Sequence, residues 1–71
     1  MEKLRKIVRT AVETTDAVAK LEHDEYYGTH VLVVSDDPLP IASVDRICET
    51  HGALVKIDGV QRDGRYRYRF R

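Results

Sequence analysis

Five arginines crowd the end of the chain: Arg62, Arg65, Arg67, Arg69 and Arg71. A guanidinium presents a rigid fork of donors that matches phosphate and carboxylate oxygens two at a time. A row of such groups could follow the phosphates of a nucleic acid, pair with the acids of a second subunit, or hold one face of a strand in water. These five are the candidate interaction or nucleic-acid-binding residues. Asp36 and Asp37 form an acidic pair after an apolar run, where open α/β sheets place ligands. Asp-Pro is also sufficient for a turn or helix cap, and no base, nucleophile or glycine-rich phosphate loop accompanies the pair. Cys48 and His51 lie three apart on an expected helix, with His23 and His30 far off in sequence, so no complete zinc ligand set is formed. Ser35 and Ser43 have no identifiable activating histidine. No catalytic residue, metal or cofactor is therefore expected, and the chain reads as non-enzymatic.

The arginines need a strand to present them. From Gly64 to Arg71 arginine alternates with an aromatic residue, a period of two, so Tyr66, Tyr68 and Phe70 share one face and Arg65, Arg67, Arg69 and Arg71 the other. The aromatic face must be the buried one. Upstream, Thr29 to Ser35 is a strand apolar on both faces, ended by Asp36-Asp37-Pro38-Leu39-Pro40. A helix follows to His51, stopped by Gly52, and a further strand spans Ala53 to Asp58. Gly59 to Gly64 is the turn into the arginine strand. At the N-terminus, Leu4, Ile7, Val8, Ala11, Thr15, Val18 and Leu21 recur at helical spacing, which predicts one amphipathic helix over 1–21. Glu22 to Gly28 then reads as a connection. No repeat and no low-complexity stretch stands out.

The expected fold is α+β in the order α-β-α-β-β: one small domain spanning 1–71, with the helix over 1–21 and a β-α-β-β unit over 29–71. Its three-stranded mixed sheet would hold a right-handed parallel β-α-β unit and a C-terminal antiparallel hairpin. The arginine strand would lie either outside the other two or between them. Val31-Leu32-Val33-Val34-Ser35-Asp36-Asp37-Pro38, the following helix and Gly52-Ala53-Leu54-Val55 resemble the opening β-α-β of a response-regulator receiver domain. That family sets an acidic pair after its first strand to bind magnesium; here Ser35 and Asp36 occupy that register. The helix, His51-Gly52, the strand, Gly59 and the last strand are similar to the closing segment of histidine-kinase-type ATPase domains, without the asparagine and glycine boxes that hold nucleotide. Each resemblance implies shared local geometry, and neither assigns a family.

With 71 residues and a single cysteine, the chain has little core and no disulfide to staple it. Small unstapled domains gain core by oligomerising, so a homodimer is expected, acting as a protein-interaction module. The free thiol suits a reducing compartment, the cytoplasm. Glu2, Lys3, Arg5 and Lys6 interrupt the N-terminal apolar residues, so neither a signal peptide nor a membrane span is expected. The formal charge is zero, but residues 62–71 carry a net +4 and the remainder −4. A general polyanion binder is usually basic overall. Nucleic-acid binding through the arginine strand is the alternative function.

Overall fold

A computed structural model describes residues 2–71; Met1, included in the expected helix, lies outside them. Helix α1 spans Glu2–Thr14 and turns Ile7 and Ala11 into the core. It stops well before Leu21. Thr14 and Thr15 donate their hydroxyls back to the carbonyls of Thr10 and Ala11 at 2.7 Å each, and Ala17 N–H turns onto Thr15 Oγ1. Threonine hydroxyls compete in this way with the helical ladder. The chain then enters strand β1, Val18–Asp24, which pairs with β2, Gly28–Ser35. Val18 and Leu21, expected to extend the helical stripe, lie instead on opposite faces of an edge strand. The hairpin is closed by Asp24 Oδ1, which accepts the N–H groups of Tyr26 and Tyr27 at 2.6 and 3.1 Å.

Helix α2, Ile41–His51, ends at Gly52 with φ 61°, a left-handed position that costs glycine nothing. Strands β3, Val55–Val60, and β4, Tyr66–Phe70, complete the chain. The sheet has four strands in the order β1-β2-β4-β3, and every pairing is antiparallel. The α+β class stands, and the expected three-stranded mixed sheet is corrected. No neighbouring strands pair in parallel, because β4 takes the second of its two expected positions, between β2 and β3, and pairs with both; β2 and β3, joined through α2, run in the same direction on either side of it. The receiver-like geometry falls with the parallel pairing.

Both helices cover one sheet face. Val31, Val33, Tyr68 and Phe70 from the central strands meet Ile7, Ala11, Val44 and Ile47 there. Tyr68 Oη accepts the N–H of Leu39 at 2.9 Å inside this core, which ties the segment before α2 to the middle of the sheet. Burying that N–H without a partner would cost more than the bond itself contributes.

The element order is two consecutive α-β-β units, joined through their second strands. The sequence carries the same duplication. At one constant offset, Val8 matches Val44, Glu13-Thr14 matches Glu49-Thr50, Ala17 matches Ala53, Lys20 matches Lys56 and Leu21 matches Ile57. A β-bulge at Asp58–Gly59 then adds one residue to β3, with Gly59 at φ 66°. Beyond it the match continues one residue later, Val31 with Tyr68 and Val33 with Phe70. An approximate two-fold operation exchanges the pairs Val31↔Phe70 and Val33↔Tyr68 and maps Leu32↔Arg69 onto itself. The expectation of no repeat is thereby corrected.

Candidate interaction surface

Among the described residues no helix lies over the second sheet face. Cross-strand register lays Lys56, Arg69, Leu32 and Lys20 in one row and sets Arg67 beside Val34, which pairs in turn with Val18. The arginine strand therefore presents its charges on this face, with Tyr68 and Phe70 buried on the other, as the alternation requires.

Arg69 is the centre of the face. Its Nε donates to Asp58 Oδ2 at 2.8 Å, its Nη1 to His30 Nε2 at 2.7 Å, and its guanidinium lies 4.9 Å from the Tyr27 ring centroid. The side chains of Arg69 and Asp58 are only 17% and 18% exposed. Alternation from Lys56 puts Asp58 on the open side, and the bulge leaves it without a partner on β4, while Ile57 and Val60 pair with Tyr68 and Tyr66 on the helix side. The His30 tautomer follows from its two contacts. Its Nδ1 lies 3.0 Å from the Gly28 carbonyl, which only accepts, so Nδ1 carries the proton. A guanidinium only donates, so Nε2 is the bare acceptor.

The other arginines are engaged less deeply. Arg67 grips Asp63 with both terminal nitrogens, at 3.3 and 2.9 Å, and the Arg65 N–H donates to the same carboxylate. The Arg67 bonds, with that N–H, hold Asp63 below the usual carboxylate range, and Asp63 in turn raises Arg67. Arg65 reaches Asp36 at 3.2 Å across an exposed gap. Arg71 donates to the carbonyl of Tyr27 at 3.0 Å. Arg62, in the turn, has no ion-pair partner among the described residues. A groove of about 360 Å³ runs along the face, with Val18, Leu32 and Val34 on its floor and both Asp16 and Asp36 and Arg65 and Arg67 at its rim.

The remaining candidates do not converge. Asp36 and Asp37 are exposed beyond the end of β2, and Asp36 serves Arg65. His51 bonds Thr10 at 2.7 Å where α2 crosses α1, and His23 bonds Thr29 at 3.0 Å on the first hairpin. Burial, with Asp45 and Glu49 nearby, pushes the Cys48 thiol up, away from thiolate chemistry. Among the described residues no three histidine, cysteine or carboxylate side chains gather closely enough to hold a metal, and no helix is long and apolar enough to cross a membrane. Sequence reasoning missed the partners Asp58, His30 and Tyr27. The one available signal was the match of Glu22 with Asp58 across the repeat, which assigns Asp58 to the open face.

The chain matches no protein-family model, no characterised protein and no solved structure.

Proposed function

We propose that this protein is a non-enzymatic interaction module that works as a homodimer. The observation that carries the reading is the balance of charge on its open face. Arg65, Arg67 and Arg69 each face an aspartate of their own chain, so the surface is a mosaic of both signs with apolar residues between them. A mosaic suits a protein surface better than it suits a polyanion, which favours excess positive charge. Two layers of 71 residues also leave apolar side chains in water at both sheet edges, where Val18 is 67% and Leu54 71% exposed. A second copy would shield such residues. Sedimentation across a concentration series tests the reading. A dimer at micromolar concentration, with a melting temperature that falls on dilution, is expected; a monomer throughout overturns it.

The alternative reading, nucleic-acid binding, is favoured by Arg62, which has no ion-pair partner among the described residues, and by loosely held Arg65 at one end of the strand. It requires binding that weakens steeply with salt, and a shallower slope in an Arg65→Gln, Arg67→Gln, Arg69→Gln variant. The free thiol of Cys48 supports a reducing compartment for either reading.

A further inference from the structure

An open sheet must do something with the unpaired backbone groups of its outer strands. The edges here are β1 and β3, equivalent by the internal repeat but differently finished. The bulge at Asp58–Gly59 interrupts β3, and Asp58 is drawn away to Arg69. Strand β1 has neither bulge nor proline and runs in unbroken register with β2 from Val18 to Asp24.

We infer that two copies of this chain join β1 to β1, antiparallel and centred on Leu21, into one continuous sheet. The inference deepens the homodimer reading and rests on it.

Read against itself about Leu21, the strand Val18–Asp24 is complementary. Lys20 of each copy falls opposite Glu22 of the other, twice over, and Leu21 falls opposite Leu21. Opposite charges facing across a ladder stabilise it, and like charges do the reverse. The neighbouring registers fail. A slip of one residue sets open-face side chains against helix-face ones. Moving the centre by one residue along the strand, to Lys20 or Glu22, sets lysine against lysine or glutamate against glutamate.

A second observation points to the same place. Glu22 Oε2 is buried without a hydrogen-bond partner among the described residues. Its cross-strand neighbour is His30, whose ring nitrogens are committed to Gly28 and Arg69. The nearby guanidinium of Arg67 is held by Asp63. Lys20 is exposed and has no acid partner among the described residues. Each copy thus carries a carboxylate whose buried oxygen finds no donor in its own chain and an ammonium two residues away; a two-fold axis through Leu21 sets the two opposite one another, and Glu22 meets Lys20 by turning its side chain out toward the edge.

Charge exchange tests the contact. Lys20→Glu and Glu22→Lys should each raise the dissociation constant by roughly ten- to a hundredfold while keeping the monomer's circular dichroism. Mixing the two variants should restore a dimer, because the mixed pair regenerates both opposite-charge contacts. Should Glu22→Lys fail to fold, amide exchange in the wild type gives the answer: β1 amides should exchange faster on dilution while β3 amides do not. A wild-type dimer that Lys20→Glu leaves intact, or whose β1 exchange ignores dilution, overturns the β1 contact and leaves the homodimer reading standing. A wild-type monomer overturns both.

Discussion

His30 and Arg69 meet nitrogen to nitrogen, 2.7 Å apart, at the centre of the uncovered sheet face. Two side chains that both carry positive charge in other settings make a hydrogen bond here, because the Gly28 carbonyl holds the imidazole proton on Nδ1. A nitrogen-15 spectrum of the ring should show a protonated Nδ1 and a bare Nε2. The reverse tautomer would remove the contact as described.

Arg69 should matter for stability far more than its strand neighbours. Arg69→Gln leaves Asp58 half-buried without its cation and His30 Nε2 without its donor, at a cost of about 2–3 kcal/mol. Arg65→Gln removes a pair that water already screens and should change stability by less than about 0.5 kcal/mol. Urea melts of the two variants measure both. Equal effects would mean that the Arg69 network is not a unit.

Tyr68→Phe keeps the ring and removes only the acceptor for Leu39 N–H. Because that N–H is buried, the expected loss is about 1–3 kcal/mol, with Leu39 the amide whose exchange accelerates most. Unchanged stability would mean that water reaches the Leu39 amide.

The first hairpin should respond to acid. The N–H groups of Tyr27 and Tyr26 hold Asp24 below its ordinary value of 3.8. A carboxyl depressed in the fold contributes stability above its unfolded value and loses it as pH falls through the folded one. Amides of Tyr26 and Tyr27 should therefore lose protection only below about pH 4. Asp24→Asn keeps the acceptor oxygen without the charge, so it should abolish this acid dependence while preserving the turn. A turn that melts well above pH 4 contradicts the assignment.

The parts legible in the sequence are those with one dominant period. Arginine alternating with an aromatic residue can be read only as a strand, and Tyr68 and Phe70 are buried where that reading sets them. The helix ending at Gly52 is equally plain. Strand β1 was not legible, because Thr15, Val18 and Leu21 also fit a helical stripe. The helix ends between them where Ala17 N–H turns onto Thr15 Oγ1, and the ladder with β2 then holds Val18 to Asp24 extended. The duplication escaped for a different reason: the bulge shifts the register halfway through, so the second strands of the two units no longer align at the offset that matches the first. Arg69 could be assigned to a face but not to its partners, since Asp58, His30 and Tyr27 reach it from elements whose adjacency depends on β4 entering the middle of the sheet.

That same bulge bears on how many molecules can join. A protein made of two like halves offers two like ends, and units with two like ends add to one another without limit, as fibres do. Here one end is spoiled by a single inserted residue and the other left smooth, so the assembly inferred above halts at a pair. Deleting Gly59 would restore the second end. The expected product is a ladder of polymers on a sizing column, in place of one dimer peak.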